Sequence, residues 1–325
     1  GGAGVAGNRL GHGEILPQAA SPPWRDAATL ARMDGLREDE GTFRGWRRPG
    51  PRPPGGVDPA DGETLDYLCG RFRIFQAERG HRYSTDDLLA AWWGVLAAPR
   101  VERILDLGSG IGSVAMAAAW KLPLARVVAL EAQPFSIALA RKSVQYNGLS
   151  ERFRLVEGDL RDPGALAGEP PFDLVLGAPP YFEPGTATEA RHPQAVPARI
   201  NVRGAIGGYA AAARRNLAPG GLFAFVWPTA RRAEAEEALG RERLVLLRCR
   251  DVVFREGEPP LVALFAASRE EDLPADLPRG RDGFPVVEPP LVVRLRDGRH
   301  SPEYAAVRLS MGFPPGNLRP PAPRP

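Results

Sequence analysis

Cysteine is scarce in this chain. Cys69 and Cys249 are too few for a disulfide framework, and neither stands in a zinc-like spacing. That scarcity fits a reducing compartment and predicts a cytoplasmic protein. Histidine is also sparse. His12, His81, His192 and His300 lie far apart, so no metal centre is expected. No run of eighteen or more apolar residues occurs, which excludes a transmembrane helix. The chain starts at Gly1 without Met, and no basic flank leads into an apolar core, so the start reads as a processed end and not a signal peptide. Lysine occurs only at Lys121 and Lys142, and Arg carries the remaining basic charge. The formal net charge of +3 permits a nucleic-acid partner without arguing for one. No internal repeat is seen. What is present is ordinary globular material: 325 residues, 43% hydrophobic and 25% charged, enough to bury a core.

Three regions are expected. Residues 1–60 are rich in Gly, Pro and Arg and read as a partly disordered arm. It contains one short helical candidate, Asp26 to Leu36, and the linker-like stretch RRPGPRPPGG. Trp24, Phe43 and Trp46 would anchor the arm if it folded onto the body. Residues 61–312 form the main domain, and residues 313–325 a Pro-rich tail that frays.

The main domain opens with two short strands around Gly70 and a helix from Thr85 to Leu96, capped by Ser84 or Thr85. Strands and helices then alternate. VERILDL, ARVVAL, RFRLVEG, FDLVLG and LFAFVW are strands. Helices are expected at Ser113–Trp120, Phe135–Asn147, Val202–Leu217 and Thr229–Leu239, with APGG as a stop and turn before the fifth strand. RLVLLRC and PLVALFAAS follow as an antiparallel pair. This rhythm predicts an α/β, Rossmann-like, seven-stranded and mainly parallel sheet with helices on both faces. PLVVRLRDG and SPEYAAVRLSMGF add further ordered segments.

The first strand runs into DLGSGIG, Asp106 to Gly112, which opens a helix. Such a turn brings backbone close to a ligand, and the helix start offers free N–H donors. Glu131 ends the second strand, where ribose hydroxyls of a nucleotide would bind, and Asp159 follows the third, where an adenine amino group could donate. Three such features at consecutive strand ends point to a nucleoside-containing cofactor.

The pattern resembles the class I S-adenosylmethionine methyltransferases more than a dinucleotide fingerprint. The resemblance implies that Asp106, Gly108, Ser109, Gly110 and Gly112 border the methionine part of S-adenosyl-L-methionine. Glu131 would hold the ribose, and Asp159 with Leu160 would meet the adenine.

LGAPPYF follows the fourth strand. Two prolines stiffen the backbone, and Tyr181 and Phe182 offer aromatic surface to stack a planar acceptor group. Ala178, Pro179, Pro180, Tyr181 and Phe182 resemble the (Asn/Asp)-Pro-Pro-(Tyr/Phe) motif of amino-methylating enzymes. There a polar side chain and a proline carbonyl hold the target nitrogen. Ala178 departs from that pattern and removes one acceptor, a loss of about 1–3 kcal/mol in a site built for it.

Upstream, FRIFQAERGHRYSTDDLLAAWW resembles the bacterial tRNA1(Val) adenine-37 N6-methyltransferase family at Gln76, Arg82, Tyr83, Ser84, Asp86, Leu88 and Leu89. The similarity spans roughly residues 64–310. It implies that Arg82, Tyr83, Ser84 and Thr85 cap the methionine end of the cofactor, although Ser84 and Asp86 equally suit a helix cap. The activity implied is methyl transfer to an amine, first to adenine N6 in tRNA, within tRNA processing. Two alternatives stay open: an acceptor that is a small molecule or protein side chain, and a non-catalytic protein that kept the cofactor fold. Glu183 to Gly204 would cover the acceptor pocket, with Arg191, His192, Arg199, Asn201 and Arg203 as candidate contacts. The arm's RGWRRPGPR could stack a base and neutralise phosphates, or remain a charged flank.

Overall fold

The computed structural model describes residues 42–43, 46–47, 56–80, 82–98, 101–180, 206–275 and 285–314. The chain divides into two units, Gly1–Leu36 and Arg37–Pro325. The first, with the helix expected at Asp26–Leu36, lies outside the described residues. Within the second, Thr42–Phe43 (β1) and Trp46–Arg47 (β2) pair antiparallel inside the expected arm.

The body begins with an antiparallel hairpin, Glu63–Tyr67 (β3) and Arg73–Ala77 (β4). Helix α1, Thr85–Ala97, starts on a reciprocal cap. The Ser84 hydroxyl accepts from the Asp86 N–H at 3.2 Å, and the Ser84 N–H donates to the Asp87 carboxylate at 2.9 Å. Strands Arg103–Leu107 (β5), Arg126–Glu131 (β6), Phe153–Glu157 (β7) and Phe172–Gly177 (β8) alternate with helices Ser113–Lys121 (α2) and Pro134–Tyr146 (α3). The hairpin is tied to α3: the Arg73 N–H donates to Asn147 and the Phe75 N–H to the Ser143 hydroxyl, each at 2.9 Å. Then come Ile206–Asn216 (α4), Leu217–Pro228 (β9), Arg232–Arg241 (α5), Leu244–Arg255 (β10), Val262–Arg269 (β11), Val286–Arg294 (β12) and Pro302–Ser310 (α6).

Among the described residues the central sheet has eight strands, not the seven expected, in the order β12-β10-β11-β9-β8-β5-β6-β7. It is mainly parallel. β11 alone runs against both its neighbours, so the expected β10–β11 antiparallel pairing is observed. The eighth strand, β12, runs parallel to β10 at the sheet edge. Its Pro289 and Pro290 argue against a strand in sequence, but an edge strand has one side free of ladder bonds and tolerates them.

The APGG signal is also not a turn between elements. Leu217 pairs with Phe172 and Leu222 with Leu174, so Ala218 to Gly221 bulge out within the strand. Gly220 there has φ +73°, and a Cβ on Gly221 would lie 2.9 Å from the Phe172 carbonyl oxygen.

Both faces of the sheet are covered. Ile104, Leu174, Leu176, Ala224 and Val226 pack on one side with α1 and α2. Leu105, Leu107, Val175, Phe223 and Phe225 pack on the other with α4 and α5. This two-sided burial explains the apolar runs LVL in β8 and LFAFVW in β9. β5 leads outward to β6 on one side, and β8 leads to β9 on the other. The strand order therefore reverses between β5 and β8, and a ligand crevice forms beyond their carboxyl ends.

Candidate functional site

The crevice is walled by the glycine loop after β5, the ends of β6, β7 and β8, the first turn of α1, and α4. Gly108, Gly110 and Gly112 all take positive φ, at +60°, +55° and +84°. That backbone is natural to glycine and strained for any residue carrying a Cβ. A Cβ on Gly108 would also lie 2.2 Å from the Tyr209 hydroxyl oxygen, whereas one on Gly110 would meet nothing within 4 Å. Gly110 thus turns a bare backbone toward the cleft.

Three carboxyls are buried around this loop. Asp106, 1% exposed, accepts from the Ala115 N–H at 3.1 Å and ties the end of β5 to α2. Burial holds its carboxyl well above the usual range, and the charges of Asp87 and Glu131 push the same way. Burial also pushes Asp87 up to about 6, against hydrogen bonds from the Ser84 N–H and the Ser113 hydroxyl. Glu131, at the end of β6, accepts from the Gly110 N–H and from the Gln133 N–H, both at 2.7 Å. Asp159 is more open and accepts from the Arg161 guanidinium at 2.6 Å. Leu160 lines the cleft beside it.

After β8, Ala178 and Pro180 line the same cleft, while Pro179 is buried and is not part of its wall. Tyr181, Phe182, Arg191, His192, Arg199, Asn201 and Arg203 lie outside the described residues. Arg82, Tyr83, Ser84 and Thr85 are not on the wall of the glycine-loop cleft. They line a neighbouring cavity with Arg308 and Phe313, and Asp87 is the α1 residue that reaches the cleft.

Sequence reasoning missed Asp87, Gln133 and Tyr209 as lining residues. Tyr209 is buried beneath the loop. Burial raises its phenol, and the carboxylates of Glu131, Asp106 and Asp159 add to the rise. The only sequence signal for it is an aromatic among the small residues of GGYAAAA. Among the described residues no group of three or more His, Cys, Asp or Glu could hold a metal ion.

The cluster of acceptors suits a cation carrying hydroxyl and amino donors. Carboxylates cluster around an open backbone loop, and the buried Ser109 hydroxyl has no hydrogen-bond partner among the described residues. A sulfonium nucleoside with an α-amino acid tail offers the charge and the donors that such a site lacks. The fold and this site together define an S-adenosylmethionine-dependent methyltransferase.

Comparisons with known proteins agree. Residues 88–242 match the family described as Methyltransferase small domain. The chain is 30% identical over 253 residues to the tRNA1(Val) (adenine(37)-N6)-methyltransferase of Porphyromonas gingivalis (strain ATCC BAA-308 / W83), covering 75% of this chain and 92% of that one. It is 31% identical over 212 residues to the protein of the same description from Shewanella amazonensis, covering 64% of this chain and 87% of that one. A solved structure described as a predicted O-methyltransferase from Agrobacterium tumefaciens superposes with a TM-score of 0.54 at 22% identity, over 70% of this chain and 98% of that one, and so shares the fold. The chain belongs to the family of class I S-adenosylmethionine-dependent methyltransferases that includes these relatives. It is an enzyme, and its cofactor is S-adenosylmethionine.

Proposed function

We propose that the enzyme transfers a methyl group to an amine nitrogen, adenine N6 in tRNA. The observation that carries the reading is that Ala178 and Pro180 line the same cleft as the glycine loop, which suits an acceptor held beside the cofactor. The relatives described as tRNA1(Val) (adenine(37)-N6)-methyltransferases support the choice of acceptor.

In this reading Glu131 receives the ribose hydroxyls, and Asp159 with Leu160 receives the adenine. Asp106 and the loop from Gly108 to Gly112 hold the methionine end. Bound there, S-adenosylmethionine supplies a methyl already activated by its sulfonium. The chain then has to align a lone pair and keep water out. A proline carbonyl of Ala178–Pro180 accepts from the target amine, and Tyr181 and Phe182 stack the base. No strong base is required, because the proton leaves after attack.

Ala178 favours a second reading, in which the acceptor needs no polar side chain at this point and is a small molecule or a protein side chain. Radiolabelled S-adenosylmethionine, offered with total tRNA, protein extract and metabolite extract, separates the two. Label in tRNA that is lost in Tyr181→Ala is the expected result. Label confined to protein or metabolites would overturn the adenine assignment and leave the enzyme standing.

A further inference from the structure

Arg82 to Thr85 line a cavity of about 520 Å³ that the reaction described above does not use. Such a volume lies within the range of small-ligand pockets. One end is an ion pair. Arg82 donates to Asp66 at 2.7 Å and to the Thr64 hydroxyl at 2.9 Å, so these two charges cancel. The other end is Arg308, on α6. Its Nε donates to the Pro314 carbonyl at 2.6 Å, and its Cζ stands 5.6 Å from the centre of the Phe313 ring. Among the described residues the two terminal nitrogens of Arg308 have no acceptor, although the stem is held. The cavity therefore keeps one net cation with a planar pair of donors, beside the ring of Tyr83.

We infer that this cavity binds a nucleotide of the RNA next to the methylated adenosine, with its phosphate on Arg308 and its base against Tyr83. A guanidinium fork fits phosphate, and an aromatic wall accepts any base. The placement suits a neighbour of the target. Ser84, the cap of α1, and Thr85, its first residue, line this cavity, and Asp87, in the same first turn of about 5.4 Å of rise, lines the glycine-loop cleft. This inference rests on the reading of tRNA as the acceptor.

The test is binding of an anticodon stem-loop RNA, with AMP in parallel, to the wild type, Arg308→Gln and Arg308→Lys. Thermal melting and S-adenosylmethionine affinity serve as controls of folding. Arg308→Gln is expected to raise the RNA Kd about tenfold. It is also expected to lower the slope of log Kd against log salt by about 1. Arg308→Lys keeps the charge and should recover part of the loss. A second readout needs no variant: a thiouridine-bearing stem-loop should crosslink to peptides containing Tyr83 or residues 302–313. An unchanged Kd in Arg308→Gln, on an RNA that the wild type binds and methylates, would overturn this inference alone. Crosslinks confined to other peptides would do the same. Tight AMP binding lost in Arg308→Gln, with RNA binding intact, would assign the cavity to a free nucleotide instead. A wild type that binds no RNA would overturn both the cavity assignment and the tRNA reading.

Discussion

The Glu131 carboxylate accepts the Gly110 N–H at 2.7 Å, which links the end of the second parallel strand to the middle of the glycine loop. The residue expected to hold a ribose therefore also shapes the loop. Glu131→Ala should raise the S-adenosylmethionine Kd at least tenfold, because a charge-assisted bond to a buried partner is worth about 1.5–3 kcal/mol. Isothermal titration calorimetry measures it. A Kd within twofold of wild type would remove Glu131 from the cofactor site.

Gly108→Ala should destabilise the fold by roughly 1–3 kcal/mol, since a Cβ there collides with the Tyr209 hydroxyl and the backbone sits at positive φ. Pairing it with Tyr209→Phe removes the colliding oxygen and should recover part of the loss. Urea denaturation of both variants reports it. Equal stability of the single and double variants would show that strain at φ, not the contact, sets the cost.

Asp87 makes stability pH-dependent in a direction opposite to that of an ion-paired carboxylate. Its folded pKa of about 6 lies above the ordinary value of 3.8. The buried acid form is thus favoured on folding. Its contribution is complete below about 4 and is lost as the pH rises through 6. Asp87→Asn should gain roughly 2 kcal/mol relative to wild type between pH 4.5 and 7.5, in protein without cofactor. Denaturation at the two pH values tests it, and a difference independent of pH would place Asp87 in a wetter setting.

Ala178→Asn restores the polar side chain at the head of the proline pair, on the wall of the cleft. If the acceptor is an adenine amine, kcat/KM on tRNA should rise about tenfold, the worth of one well-placed hydrogen bond. A fall on tRNA, with activity on another acceptor retained, would favour the second reading.

The glycine loop, the acidic strand ends and most element boundaries were legible because each depends on local sequence. Ser84 capping α1 and the turn at Asp106 to Gly112 are decided within a few residues. The eighth strand was not legible, because Pro289 and Pro290 read as breakers until their edge position is known. Tyr209 was hidden because it reaches the loop from a helix distant in sequence. Arg82 to Thr85 were expected at the cofactor, yet they line a separate cavity. The reason is helical geometry: Thr85 and Asp87 stand two residues apart, about 200° around α1, so they look into different spaces.

The amino-acid sequence by itself determined the alternating elements, the glycine turn and the acidic residues at the strand ends, since periodicity, glycine and capping act over a few residues, while the cofactor class came from the resemblance of that pattern to a known family. Only the tertiary structure decided which side chains share a cavity. Asp87 joins Asp106 and Glu131 in one cleft, and Arg308 shares a cavity with Tyr83 and Phe313, placements that no local pattern encodes.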